Sequence, residues 1–117
     1  KNFMNLIPFQ IIDWDKVPTT EKDGETGTVR SKTLQFDNIR VRIVEYTAGY
    51  RADHWCQKGH IIHCLDGEMV SELEDGSKSV FSKGMTYIVS DDLSSHRSTT
   101  ANGVKLLIID GDFLKSN

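Results

Sequence analysis

The stretch that determines the fold class is TVRSKTLQFDNIRVRIVEY, residues 28–46. It contains two runs of β-forming residues, Thr28–Phe36 and Ile39–Tyr46, joined by Asp37-Asn38, which suits a two-residue hairpin turn. The second run begins with strict alternation of apolar and polar residues, as in a half-buried strand. This stretch therefore predicts an antiparallel β-hairpin.

Beyond this hairpin, glycines divide the chain into short segments. They lie at Gly49, Gly59, Gly67, Gly76 and Gly84. Further strand-like runs are His60–Leu65, Glu68–Leu73, Ser79–Ser82, Met85–Val89 and Val104–Asp110. Between the first two of these, Asp66-Gly67 predicts a second hairpin. No window has a 3.6-residue apolar stripe of helical length, so we predict an all-β domain, either a small barrel or a double sheet closed on itself.

The N-terminal residues have a different composition. Both prolines, Pro8 and Pro18, lie there beside apolar residues that include Trp14. Because proline is tolerated at sheet edges, we expect residues 1–20 to form an extended arm or edge strand, and residues 21–117 to form the barrel. Glu21–Thr28 is polar, contains two glycines and predicts a loop.

Size and charge exclude several classes of protein. A chain of 117 residues fits one domain that buries a core without disulfide support. A net charge of −3 with no basic run argues against a nucleic-acid partner. No apolar run approaches a membrane span, and the first residues do not form a signal peptide. Two cysteines do not make a disulfide framework, so we expect a cytoplasmic protein.

Histidine and cysteine are concentrated in one short window. Five of the six such residues lie between positions 54 and 64, namely His54, Cys56, His60, His63 and Cys64. On a strand, His54 and Cys56 would share a face. His60 begins the next run after a short connection, and there it shares a face with Cys64 while His63 points to the other side.

The sixth residue, His96, follows three more predicted strands, and a barrel can bring it beside an early strand. The set His54, Cys56, His60 and His96 therefore predicts a metal site of three imidazoles and one thiolate. Such ligands suit zinc best, with iron, nickel or copper also possible. Two other interpretations stay open: polar lining with a thiol buried as a small apolar group, and a Cys56–Cys64 disulfide.

The same stretch resembles the first motif of the cupin superfamily. Gly49, His54-Trp55-Cys56, His60 and Gly67 fall into its frame, with Cys56 in the slot of the second histidine and His60 in the slot of the glutamate. The second motif is matched in part by Gly84 and His96.

More narrowly, the chain resembles the small, single-domain bacterial proteins called DHCW-motif cupin fold proteins. The matching segments are Ile12-Asp13-Trp14, Gly24–Gly27, Ala52–His60, Ser90–Arg97 and Leu107–Gly111. The resemblance implies a double-stranded β-helix, or jelly-roll barrel, with its site in the lumen. It also implies a homodimer that exchanges or shares an N-terminal arm. The arm that contains Trp14 packs either on a partner subunit or, as an edge strand, on its own barrel.

For function, the resemblance implies a small metal-binding cupin whose lumen site acts on or binds a small organic molecule. The group has no established activity, so two classes of function remain open. One is an enzyme, which needs an open coordination position and a cavity. The other is a non-catalytic module that binds or senses a metal or small ligand, with a structural metal in a closed site or with no metal.

Overall fold

The computed structural model describes residues 7–115, which are almost entirely antiparallel β-structure. The strands are β1 (Thr20–Asp23), β2 (Thr28–Phe36), β3 (Ile39–Tyr46), β4 (His60–Leu73), β5 (Lys78–Ser82), β6 (Thr86–Val89), β7 (His96–Thr99) and β8 (Val104–Gly111). Single 3-10 turns occupy Trp14–Lys16 and Asp112–Leu114. Neither turn in residues 7–115 has the length or apolar character to span a membrane. The all-β prediction is confirmed.

The strands pack as a jelly-roll barrel in which β4 belongs to both sheets. One sheet runs β1-β2-β3-β8-β4, and β6 also pairs with the first part of β4. The other sheet pairs the last part of β4 with β5 and β7. A strand shared by two sheets forms a corner of the barrel.

The predicted hairpin at Asp66-Gly67 is wrong, because β4 continues through these residues. Its pairing with β8 shifts register between Cys64 and Asp66, which marks a β-bulge. Gly67 has φ +79°, and a side chain there would collide with the carbonyl oxygen of Gly103. Glycine is therefore needed here to bend one strand between sheets, and not to reverse the chain.

One other local prediction needs correction. The expected loop Glu21–Thr28 begins with β1, which pairs with β2 from Thr20↔Ser31 to Asp23↔Thr28. Backbone hydrogen bonds to a neighbouring strand do not depend on apolar side chains, so polarity alone misplaces an exposed edge strand.

The hairpin at Asp37-Asn38 is confirmed, with β2 and β3 paired from Phe36↔Ile39 outward.

The two faces of β3 are oriented opposite to what their polarity suggests. Arg40 and Arg42 lie on the cavity side, whereas Ile43 borders an outer groove together with Trp14. The more polar face of this strand is therefore turned inward.

A compact apolar core fills the barrel beside the cavity. Its buried members are Val44, Ile62, Cys64, Met69, Phe81, Val104, Leu106 and Ile108, joined by Val29, Tyr46 and Tyr87 at its margin. Cys64 is fully buried within this core.

Part of the N-terminal segment lies against the outer face of the β2–β3 hairpin. The Lys32 ammonium donates a 2.8 Å hydrogen bond to the carbonyl oxygen of Trp14. Residues 1–6 of the expected arm and residues 116–117 of the expected barrel lie outside the described residues. The division into an arm and a barrel stays a prediction.

Candidate metal centre

Cys56, His60 and His96 converge at one end of the barrel. His60 begins β4 and His96 begins β7, while Cys56 lies on the irregular segment that precedes β4. The backbones of Cys56 and His96 form an isolated antiparallel bridge, with hydrogen bonds of 2.8 and 3.0 Å. The barrel thereby joins ligands 40 residues apart in the sequence.

The distances among the three potential ligand atoms match those of a metal centre. All three lie within 4.8 Å of one another. Sγ of Cys56 is 3.5 Å from Nε2 of His60, and Nε2 of His60 is 3.2 Å from Nε2 of His96. Tetrahedral zinc has bonds of about 2.0–2.1 Å to nitrogen and about 2.3 Å to sulfur, which place a sulfur and a nitrogen ligand about 3.6 Å apart and two nitrogen ligands about 3.3 Å apart. The separations of His60 from both other ligands therefore match those around a tetrahedral zinc ion.

The hydrogen bonds of the two imidazoles also favour a cation between them. Nδ1 of His96 donates to the carbonyl oxygen of Ser94 at 2.8 Å, so in the neutral form of His96 the Nε2 atom has a free lone pair. If neutral His60 donated from Nε2 to that lone pair, its own Nδ1 would be an acceptor. That Nδ1 is buried, has no hydrogen-bond partner among residues 7–115 and faces a carboxylate oxygen of Asp110 at 3.6 Å. A metal on Nε2 places the proton of His60 on Nδ1, where it faces the carboxylate favourably.

The Cys56 thiol is activated by its neighbours. Partial burial acts to raise its pKa, but hydrogen bonds from His60 and His96 outweigh burial and lower the pKa to about 5. For His96, burial acts to lower the pKa, and the hydrogen bond to Cys56 reverses this and raises it. At neutral pH, Cys56 therefore supplies a thiolate, the form that binds metals.

The three side chains form part of the wall of a cavity of about 320 Å³ inside the barrel. Its wall is mixed, with apolar side chains from the core and polar groups from β3 and β7. Apolar members include Val44, Ile62 and Ile108, and polar members include Arg42 and Ser98. The volume lies at the lower end of the range for small-molecule sites.

Structural comparison places this barrel among solved cupins. A cupin from Shewanella frigidimarina, described as RmlC-like, has a TM-score of 0.68 and 15% identity, with 89% of this chain and 91% of that chain covered. A protein from Thermotoga maritima, described as a predicted oxalate decarboxylase, has a TM-score of 0.73 and 14% identity, with 87% of this chain and 99% of that chain covered. The chain has the cupin fold.

A third similar structure, Fe(II)-HppE with an alternative substrate, has a TM-score of 0.71 and 13% identity, with 87% of this chain and 60% of that chain covered. No protein-family model matches the sequence. No curated protein matches it either.

The cupin barrel brings together three of the four predicted ligands and places His54 apart from them. The His54 side chain is 66% exposed, and its Nδ1 lies 2.6 Å from a carboxylate oxygen of Asp53 at the rim of the cavity. Residues 53–54 form a bend and not a strand, so the alternation that would place His54 beside Cys56 does not apply.

The remaining members of the sequence window have other surroundings. His63 lies on the opposite face of β4, as predicted, and its Nδ1 is 2.8 Å from the hydroxyl oxygen of Thr86. Cys64 shares the inner face with His60 but lies in the apolar core. Both cysteines are free, which contradicts the alternative of a Cys56–Cys64 disulfide.

Sequence reasoning missed the group that supports His60. Asp110 is the penultimate residue of β8. Its side chain is only 3% exposed, and it accepts two hydrogen bonds from Arg40 at 2.9 and 3.1 Å. Burial acts to raise the pKa of Asp110, and its bonds to Arg40 and the nearby Arg42 reverse this and lower it. The sequence does contain a pattern that could have indicated this ion pair. Arg40 and Arg42 alternate with isoleucine and valine on β3, and Asp110 follows directly after the apolar run of β8.

Proposed function

We propose that the chain is a metal-binding cupin in which Cys56, His60 and His96 hold a divalent transition metal next to a small-molecule cavity. The convergence of one thiolate and two imidazole lone pairs at the cavity wall carries this proposal. The thiolate and imidazole donors favour zinc. Iron is the second choice, because Fe(II)-HppE shares the fold.

Three protein ligands leave a fourth position for water or a ligand. A bound metal would supply Lewis-acid polarisation of a small organic molecule there. The chain's own residues orient the ligands and exclude water. The Ser94 carbonyl binds the His96 imidazole, the Asp110 carboxylate faces the His60 imidazole, and the apolar part of the cavity wall limits water. An open position beside a cavity favours binding or turnover of a small molecule over a purely structural metal.

The test is the metal content of untagged protein, measured by elemental analysis after incubation with zinc or with iron(II) under anaerobic conditions. We expect one metal ion per chain, lost or at least ten-fold weaker in Cys56→Ser and His96→Ala. His63→Ala is the matched control, because His63 lies on the outer face, and it should bind normally. Metal-free native protein, or variants that bind as well as the native protein, would refute the proposal.

The fourth predicted ligand, His54, requires its own variant. If His54→Ala binds metal as tightly as the native protein, the centre has three protein ligands. If affinity falls as far as in His96→Ala, His54 joins the centre, and a closed structural site replaces the open one.

We further propose a homodimer in which the N-terminal segment packs on a partner subunit. Phe9 is 91% exposed and Ile11 is 84% exposed, which suits apolar side chains covered by another molecule. Light scattering should give twice the chain mass, reduced to the chain mass in a Phe9→Ser/Ile11→Ser variant.

Four further expectations from the sequence stay predictions. They are a bacterial origin, a cytoplasmic location, the lack of nucleic-acid or membrane partners, and membership of the DHCW group.

A further inference from the structure

Arg42 extends from β3 into the same cavity as the three candidate ligands, and its hydrogen-bonding capacity is largely unused. Its side chain is 20% exposed. Among residues 7–115, its one hydrogen bond runs from Nη2 to Asp110 at 3.3 Å, and its buried Nε–H has no acceptor. A guanidinium carries five N–H donors, so most of those of Arg42 are free to bind another acceptor.

The charges around Arg42 do not balance within the protein. Asp110 receives a two-pronged interaction from Arg40 as well as the single bond from Arg42, so two guanidinium groups share one carboxylate. Burial and the nearby Arg40 lower the pKa of Arg42, against the opposing effect of Asp110. Besides Asp110, the Cys56 thiolate acts on the pKa of Arg42, and in the proposed function a divalent metal more than offsets the charge of this thiolate. The carboxylates of Asp23 and Asp53 also line the cavity but do not act on this pKa.

We propose that Arg42 anchors a small organic carboxylate in the cavity beside the metal centre. This inference rests on the proposed function and names the class of molecule that the site takes. The planar guanidinium fork matches a carboxylate in two-pronged geometry. The apolar wall formed by Val44, Ile62 and Ile108 suits the carbon part of an organic acid better than an inorganic anion.

The other cations of the cavity wall are less suited to this role. Arg97 is already engaged, because it donates to Glu72 at 2.9 Å and stacks over the Trp55 ring at 4.4 Å. Lys22 lies on the exposed edge strand β1. Arg40 is held by both oxygens of Asp110. Arg42 is the cation that combines an inward position with unused donors.

The test measures binding of malonate and benzoate to zinc-incubated protein by NMR titration, with malonamide and benzamide as neutral counterparts and inorganic phosphate as a third probe. We expect at least one carboxylate to bind in preference to its amide and to phosphate. Arg42→Gln should weaken that binding about ten-fold or more. Arg30→Gln is the matched control, because Arg30 lies on the outer face beside Glu21, and it should bind as the native protein does.

Arg42→Lys keeps the charge but loses the fork, so it provides a second variant should Arg42→Gln fail to fold. It should also bind the carboxylate more weakly. The inference is overturned if neither carboxylate binds, if the amides or phosphate bind equally well, or if the folded Arg42 variants bind as the native protein does. Metal content is measured on each sample, so loss of the metal centre is seen separately from loss of the anchor.

Discussion

Cys56 and Cys64 lie eight residues apart in the sequence and have opposite chemical character. Hydrogen bonds from two imidazoles prevail over burial at Cys56 and lower its pKa, whereas burial raises the pKa of Cys64. Among residues 7–115, the hydrogen-bond partners of the Cys64 thiol are only the backbone carbonyl oxygens of Asp66 and Gly67. Burial removes water from a thiol, and only a positive or proton-donating partner compensates the thiolate.

This contrast predicts selective alkylation of the metal-free protein by iodoacetamide. Cys56 should react with a pH midpoint near 5, while buried Cys64 should stay unmodified until the protein unfolds. In His96→Ala the midpoint should rise, because one stabilising hydrogen bond is lost. Mass spectrometry of digested protein identifies the labelled cysteine. A midpoint near 9 in the native protein would contradict the assignment.

The same shift predicts how stability depends on pH in the metal-free protein. The folded pKa of Cys56, about 5, lies below its ordinary value of 9.0. The thiolate therefore contributes stability that is complete above pH 9 and is lost as pH falls toward 5. Chemical unfolding of the native protein and Cys56→Ser across this range should show the difference between them shrinking as the pH is lowered.

At the scale of elements, β4 forms the corner of the barrel because Gly67 adopts a left-handed conformation at the bulge. Gly67→Ala should destabilise the protein by about 3 kcal/mol, from backbone strain together with collision against the Gly103 carbonyl. Gly76→Ala is the matched control: it has φ +89° but open space around it, so it should cost only about 1 kcal/mol. Denaturant unfolding measures both, and equal losses would argue against a close contact at the bulge.

A second element-level feature is the loop that carries Cys56 toward β4. The Gly59 amide donates to a carboxylate oxygen of Asp91 at 2.6 Å, and the Asp92 amide donates to the Gln57 carbonyl at 2.8 Å. These two bonds fasten the segment between Cys56 and His60 to the loop before β7. They thereby fix the positions of Cys56 and His60 relative to His96.

Asp91→Ala removes one of these bonds and leaves the buried Gly59 amide without its partner. We expect a loss of about 1–3 kcal/mol in unfolding free energy and weaker zinc affinity, measured by competition with a chelator. Asp92→Asn should change neither, because the backbone of Asp92 makes the bond. Normal zinc affinity in Asp91→Ala would show that the ligands hold their positions without this fastening.

At the scale of the whole molecule, metal binding and folding are linked, because the three ligands come from separate parts of the barrel. Zinc at about 100 times its dissociation constant should add about 2.7 kcal/mol and raise the melting temperature by roughly 10 °C. Calorimetry with and without zinc measures the shift. His96→Ala should show little shift, and a shift as large as that of the native protein would place the bound zinc elsewhere.

Much of the barrel could be predicted from local sequence pattern. Alternation and turn residues located β2, β3, β5, β6 and β8 to within about two residues, because a strand's period and a two-residue turn are local properties. The bulge at Gly67 was not recognisable, since a glycine with positive φ serves a hairpin and a bulge equally well. Only the pairing of β4 with strands of both sheets distinguishes the two.

By itself, the sequence determined the fold class, the inner face shared by His60 and Cys64, and the kinds of ligand atoms available. The tertiary structure alone decided that Cys56 and His96 meet across a backbone bridge and that His54 lies at the rim of the cavity. It also decided that Asp110 faces His60 and that Arg40 and Arg42 lie on the cavity side of β3. Strand alternation assigns a residue to a face. Which face becomes the lumen, and which distant residues meet there, depends on how the whole sheet closes.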